Sequence, residues 1–580
     1  MDFTRTLALC LLLVAPASLH AQTPDPEPDL VGLWKAKKRF GPDARGQLIV
    51  TRGATGYTAD MMGFTIPVTA RDGELTFELP NRQGGFRGQL QTGGSIRGIW
   101  FQVPTGELGA AVAVTLAPAG ANRWSGNVVP LDDQQTFFLL IKRKPDGSLG
   151  AMLRNPERDY GAALGVRGFT RNGTQVSLIG GRTPRDTVIT TGTYDTARSV
   201  ITFNFPFRGG HYDFGRDDDE HSEFYPRART PRYVYRVPPA LGDGWETASV
   251  SDVGIDRAAI ERTVQQLIDM SMDTINAPQV HSLLIARKGK LVLEEYFHGE
   301  DRTKLHNTRS GSKSITSVLA GAAMHAGMPV RLDAPVYQVM NDGAFPADLE
   351  PRKRALTLEH LLTMSSGYFC DDNNDNAPGN ENNMWNQTEQ PDFYRMALGL
   401  PMAFAPGEKA IYCSINTNLA LGVVGRATRE SPFYLFERLV AAPLGIQRYV
   451  WAMDRARNPY GGGGMGLQTR DYMKFGQLML DSGTWKGKRI VSREFVARAT
   501  STLHQINGTR PYGLAWWREE KPYQNGTARG YAMLGAGGNI VVVFPELELV
   551  VATTGGSYIS RGWRYPGGEL IPNFILPAVR

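Results

Sequence analysis

From residue 29 to about residue 236 the chain is a succession of short strand-like runs broken by glycine, asparagine and aspartate turns, with no long helical period. Asp72-Gly73, Asp146-Gly147 and Asn172-Gly173 are turn signals flanked by runs such as 74–79, 136–141, 175–179 and 199–205. A chain patterned this way is confined to an all-β antiparallel barrel or sandwich. Trp34, Trp100 and Trp124 stand at the ends of strand-like segments, and core packing is their first reading. This half offers no chemistry of its own. Contact with a glycan, a lipid or the cell wall is the partner class left to it.

Pro238-Pro239-Ala240-Leu241-Gly242-Asp243-Gly244 is a turn-rich link, after which the pattern changes. Residues 256–270 carry Ile260, Val264, Leu267 and Ile268 on one helical face. Residues 280–286 and 291–297 flank Lys288-Gly289 as a hairpin, another helix is expected over 470–480, and strands return at 538–544 and 547–553. Helices enclosed between an opening hairpin and closing strands predict one α+β domain on an antiparallel sheet. The expected organisation is a leader at 1–21, a β-rich domain at 22–236, a linker at 237–246 and the α+β domain at 247–580.

The leader is read from Arg5, the apolar run 7–14, and cleavage points at Ala15-Pro16-Ala17 or Leu19-His20-Ala21. Lipid attachment at Cys10 is the weaker alternative, because bulky Leu9 precedes it. No other segment is long and apolar enough to span a bilayer, so a secreted or periplasmic protein is expected. A net charge of +6 on 580 residues, without a Lys/Arg block, gives no nucleic-acid face. Beyond the leader stand Cys370 and Cys413, which an oxidising compartment bridges or the fold buries as two thiols. The acidic run 216–223 and the segment Cys370-Asp371-Asp372-Asn373-Asn374-Asp375-Asn376 fall short of a calcium loop, so no metal is expected. Sequons stand at Asn172, Asn386, Asn507 and Asn525.

Chemistry enters with Ser310-Gly311-Ser312-Lys313, which opens a segment whose Ile315, Val318, Leu319 and Ala322 predict an amphipathic helix. Ser310 then sits at the helix N-terminus with Lys313 one turn on, on the same face. A serine hydroxyl attacks only when a base takes its proton, and burial together with the helix N-terminus pushes a lysine pKa down toward that task. Downstream, Tyr412 offers a phenol that can relay a proton, with Ser414 and Asn416 as polar contacts. Met533-Leu534-Gly535-Ala536-Gly537-Gly538-Asn539 puts glycines beside a strand, where a substrate can approach the backbone. Tyr512-Gly513-Leu514-Ala515-Trp516-Trp517 reads as core first and as a pocket wall second.

Taken together, residues 245–580 resemble the serine hydrolases related to class C β-lactamases, penicillin-binding peptidases and 6-aminohexanoate-dimer hydrolases. The resemblance lies in the order and spacing of Ser-x-x-Lys at 310–313, HSLLIARKGKLVLEEYF (281–297), TLEHLLTMSSGY (357–368), PGEKAIYCS (406–414), Ala442-Pro443-Leu444-Gly445-Ile446, GGGGMGLQTRDYMKFG (461–476) and GAGGNIVVVFPELELVV (535–551). It implies a helical region packed on an antiparallel sheet and no cofactor. It makes Ser310 the acylated nucleophile, Lys313 its proton partner and Tyr412 the second base and leaving-group acid. The oxyanion hole would be formed by the N–H groups of Ser310 and Ala536, with Ser414, Asn416, Gly535 and Trp517 near substrate. It also places Cys370 and Cys413 beside one cleft, where a bridge would tie the following loop to Tyr412.

Two departures bear on substrate. Ser414 stands where β-lactamases have asparagine, as in the amide-oligomer hydrolases. Met533-Leu534-Gly535 stands where β-lactamases and peptidases carry Lys-Thr-Gly, whose lysine holds a substrate carboxylate. A buried carboxylate beside an apolar pair is costly. The expectation is an exported serine hydrolase acting on a small neutral ester, amide or peptide. The alternatives are a D-amino-acid peptidase or β-lactamase, and a non-catalytic binding protein on the same fold.

Overall fold

Alternating strands with tight turns close into barrels when each can pair on both edges, and the first half of this chain does so twice. The computed structural model describes residues 30–102, 109–131, 133–157, 159–181, 183, 185–218, 220–227 and 232–580. The expected leader and Cys10 lie outside them. Gly32–Gly41 pairs with Asp133–Arg143, and the strands that follow, through Gly210–Arg216, return to it to complete a closed antiparallel barrel. Trp34, Phe137, Phe203, Phe205, Tyr212 and Phe214 fill its interior. The strands Gly46–Arg52 to Arg123–Val128 form a second antiparallel layer, inserted between the first barrel's first two strands. Gly109–Pro118 pairs with Arg123–Val128 at Ala117–Ser125 and Pro118–Trp124, which rounds this layer on itself around Trp100. At Asp72-Gly73 both residues have positive φ, 52° and 79°, the geometry that two-residue hairpins require.

The inserted layer does not stop at the turn-rich link. The other end of Gly109–Pro118 pairs with Tyr449–Met453, which pairs with Met465–Leu467 and through it with His306–Asn307. The two halves of the chain therefore share one hydrogen-bonded sheet. Arg97 clamps Glu437 through Nε and Nη2 at 2.9 and 3.0 Å beside this seam. The link itself is fixed by Arg470, 4% exposed at its side chain, which pairs with Asp243 at 2.8 Å.

The second half is the expected α+β arrangement. Val280–Arg287 and Lys290–Tyr296 pair as a hairpin, and Val280–Arg287 pairs on its other edge with Leu549–Gly555. Asn539–Phe544, Gly526–Gly535 and Trp517–Tyr523 continue a nine-stranded sheet. Arg257–Ile268, capped by Asp256, covers one face together with the C-terminal segment. Ser312–His325, Ser414–Thr428 and Thr469–Leu480 pack on the other.

The Ser312–His325 helix departs from its expected amphipathic form: Ser312 through Ala323 are all buried. It is enclosed by Ser414–Thr428, the segment Glu437–Ala441 and the strand Gly526–Gly535. Two of its polar side chains find partners inside, Ser314 donating to the Ala515 carbonyl at 2.6 Å and Thr316 to that of Gly461 at 3.0 Å. A serine-rich face therefore does not signal solvent when it meets carbonyls.

Candidate active site

Ser310 lies in the tight turn Arg309–Gly311 that leads straight into Ser312–His325. Three features shape that turn. Arg309 adopts a left-handed φ of 52°, a strained conformation for a residue with a side chain. Gly311 faces Tyr472, whose hydroxyl would lie 2.0 Å from an added Cβ. Thr308 and Ser312 brace the turn from both sides. Their hydroxyls bond each other at 2.8 Å, Thr308 donates to the Met465 carbonyl at 2.8 Å, and Ser312 accepts from Met465 N–H at 3.1 Å.

The predicted serine–lysine pair is in contact. Lys313 Nζ donates to Ser310 Oγ at 3.0 Å and to the Gly462 carbonyl at 2.6 Å. Lys313 is 1% exposed, whereas Ser310 is half-buried. The electrostatics run against the lowered pKa expected from burial. Burial is the largest single influence and pushes the lysine down, but Tyr412, Glu381 and Asp372, and the hydrogen bond to Tyr412, together hold it above its ordinary value. Lys313 is therefore biased toward its ammonium form, with Ser310 Oγ as one of its two acceptors.

Tyr412 sits beside this ammonium, its ring centroid 5.0 Å from Lys313 Nζ. Trp517 stacks on it at 5.6 Å and 27°, and Trp517 is braced by Tyr512 at 4.6 Å and by the Arg510 guanidinium at 4.0 Å. Trp517 thus contacts the tyrosine that the sequence marked. Cys370 and Cys413 form a disulfide next to it. Two residues past Cys370, Asp372 N–H donates to the Tyr412 carbonyl at 3.1 Å, and its Oδ2 accepts from Ser414 N–H at 2.8 Å and Ser414 Oγ at 2.7 Å. Tyr412 is held by bridge, backbone and carboxylate at once.

Ser414 spends its side chain on Asp372 and is fully buried. Asn416 is also buried, its amide facing the Met364 sulfur at 3.9 Å. Both lie behind the tyrosine. Gly535 ends the strand Gly526–Gly535 against the turn of Ser310, where an added Cβ would fall 2.2 Å from the Thr308 carbonyl. Ala536 follows it and is exposed, and its carbonyl is fixed by Asn539 Nδ2 at 2.6 Å.

Four contributors carried no role in the sequence reading: Asp372, Glu381, Gly462 and Asn539. Burial, then Glu381, raises the Asp372 pKa to about 6. Glu381 is held by the Tyr460 hydroxyl. An added Cβ on Gly462 would fall 2.4 Å from that same hydroxyl, so the glycine brings its carbonyl to the lysine. The four-glycine run 461–464 was the visible signal for this approach.

A serine hydroxyl on an ammonium, a phenol against that ammonium and glycines opening a strand edge beside them are the parts of an acyl-transfer site. Known proteins agree at the family level. The Beta-lactamase family model matches residues 264–554. Protein Rv1367c of Mycobacterium tuberculosis is 27% identical over 236 residues, 34% of this chain, and the chain spans 58% of that relative's length. A provisionally assigned 6-aminohexanoate-dimer hydrolase from Bacillus anthracis shares 18% identity at a TM-score of 0.43, over 50% of this chain and 78% of that one. A penicillin-binding protein homologue from Caulobacter crescentus shares 14% at 0.41, over 53% and 95%. With the match covering half of its length, the chain belongs to the Beta-lactamase family.

Proposed function

We propose that this protein is an exported serine hydrolase that cleaves a neutral ester or amide through an acyl-enzyme on Ser310. The observation that carries the reading is the 3.0 Å contact between Lys313 Nζ and Ser310 Oγ in a half-open turn. A Tyr412 phenolate, steadied by the Lys313 ammonium, takes the proton of Ser310 Oγ as that oxygen attacks the substrate carbonyl. The carbonyl oxygen gathers negative charge facing the Ser310 and Ala536 N–H groups. The bond to the leaving group breaks, and Tyr412 returns the proton to the departing oxygen or nitrogen. Water then attacks the acyl carbonyl and gives its proton to Tyr412, which passes it to Ser310 Oγ as the acyl bond breaks.

The choice of a neutral substrate rests on Met533 and Leu534. Met533 is fully buried, and neither residue can meet a carboxylate with charge. A panel of p-nitrophenyl esters, anilides, D-peptides and nitrocefin tests both parts. Ester or anilide turnover that disappears in Ser310→Ala is the expected result. Undiminished turnover in that variant overturns the mechanism, and nitrocefin hydrolysis as fast as ester hydrolysis overturns the substrate class.

A further inference from the structure

The first barrel is filled by its own aromatic side chains, and it meets the hydrolase half through the segment leaving its strand Leu149–Arg154. Two buried charged residues there reach across. Arg154, 1% exposed, donates to the Thr274 carbonyl at 2.7 Å and to that of Ala277 at 3.4 Å. Asp159, fully buried, accepts with Oδ2 the N–H groups of Ile559 at 3.3 Å and Ser560 at 3.2 Å. A left-handed φ of 54° at Asp159 aims it there. Gly161 lets the segment fold back, since an added Cβ would fall 1.9 Å from the Leu153 carbonyl.

The two gripped segments are tied to each other. Gln279 N–H donates to Ser557 Oγ at 2.9 Å, and Gly556 N–H to the Gln279 carbonyl at 3.0 Å. The second segment then leads to the site. Ser557 N–H donates to the Gly537 carbonyl at 3.2 Å, next to Ala536. The Tyr558 ring would lie 2.4 Å from a Cβ on Gly537, and it stacks 4.2 Å from the Arg309 guanidinium, next to Ser310. Arg309 Nη2 also donates to the Glu157 carbonyl of the barrel segment at 3.3 Å. The turn of the nucleophile and the turn of the oxyanion donor therefore rest on one wall, and the barrel holds that wall.

A fully buried carboxylate with one oxygen, Oδ1, left without a partner is an expensive way to join two domains. Its expense is explained if the backbone it fixes matters to the chemistry. We propose that Asp159 of the N-terminal barrel is a positioning residue for the reaction at Ser310, fixing the Ser557–Ser560 wall against which Gly537 and Arg309 are seated. The inference rests on Ser310 being the nucleophile, and it makes the barrel part of the catalytic apparatus.

The test uses the full-length protein with Asp159→Ala and Asp159→Asn, reading the rate at which a fluorophosphonate labels Ser310, kcat and KM for a p-nitrophenyl ester, and Tm. Asp159→Ala should slow labelling and kcat by about tenfold or more with KM little changed, because loosening a wall misaligns reacting groups more than it weakens binding. Asp159→Asn should stay within about threefold of wild type, since its carbonyl still takes both N–H groups and its amide falls where Oδ1 lacks a partner. If Asp159→Ala does not fold, Ser560→Pro carries the test. It deletes one N–H donor at φ −72°, which proline adopts, and should slow labelling in the same direction. Unaltered labelling in Asp159→Ala, or in Ser560→Pro where that variant is needed, overturns the inference. So does an equal loss in Asp159→Ala and Asp159→Asn that tracks Tm. A wild-type protein that neither labels nor turns over ester would instead overturn the hydrolase reading itself.

Discussion

The charge of Lys313 decides how protons move at this site. A lysine held above its ordinary pKa by Tyr412, Glu381 and Asp372 remains cationic through neutral pH, so its work is to hold Ser310 and stabilise negative charge at the phenol. Lys313→Met should lower kcat/KM for an ester by roughly 10²–10³-fold, the scale of losing a donor preorganised toward developing charge, while KM changes little. Asp372 sets the acid side. Its carboxylate is charged above about 6 and then grips both donors of Ser414; below that pH it takes a proton and the grip weakens. Activity should fall as pH drops through about 6, and Asp372→Asn should flatten that limb, which a pH profile of kcat/KM would show. A limb that stays in place in Asp372→Asn would remove Asp372 from the account. Ser310, Lys313 and Tyr412 could be proposed from the sequence because each stands in a short motif, and the fold brings them together. Asp372 was not, since its partner Ser414 is 42 positions away and only the fold joins them.

Elements carry the site by fitting tightly around it. Gly311 lets Tyr472, and Gly535 lets the strand Gly526–Gly535, press against the turn of Ser310. Gly311→Ala should cost about 1–3 kcal/mol, the usual penalty of overpacking, and Tyr472→Phe in the same chain should recover part of it by removing the clashing hydroxyl. Thermal melts of the two variants check this. The disulfide acts on the loop that follows Cys370. With its ends 43 positions apart, replacing both cysteines by serine should destabilise by about 2–4 kcal/mol in the chain-entropy account and lower kcat by freeing Tyr412. Strands, hairpins and the helix over 469–480 were readable from period and turn residues. The burial of residues 312–323 was not, because Ser314 and Thr316 meet carbonyls rather than water.

At the scale of the whole molecule, the barrels and the hydrolase half are joined by a continuous sheet, by the Arg97–Glu437 clamp and by the Arg154 and Asp159 contacts. None of these pairings is written in local periodicity. A strand at 449–453 looks the same whether it pairs within its own half or with residues 109–112, so the sequence separated parts that the fold joins. A further contact between the halves comes from three clustered histidines: His281 Nδ1 meets His306 Nε2 at 2.9 Å, the His298 ring lies 5.8 Å from that of His281, and His298 Nδ1 meets the Glu223 carbonyl at 3.2 Å. Burial drives all three below the ordinary 6.5, His298 and His306 to about 4. Unfolded, they bind protons near 6.5; folded, they resist until about 4, so stability is intact above 6.5 and declines as pH falls across that interval. Equilibrium unfolding should show this loss, and replacing His298 with glutamine should shrink it.

The central claim is that Ser310 forms a covalent bond with its substrate. Mass spectrometry of the full-length protein after exposure to a fluorophosphonate reads this directly. One adduct per chain, mapped to the peptide carrying Ser310 and missing in Ser310→Ala, is the predicted result. An unmodified chain, or an adduct that persists in Ser310→Ala, would contradict it.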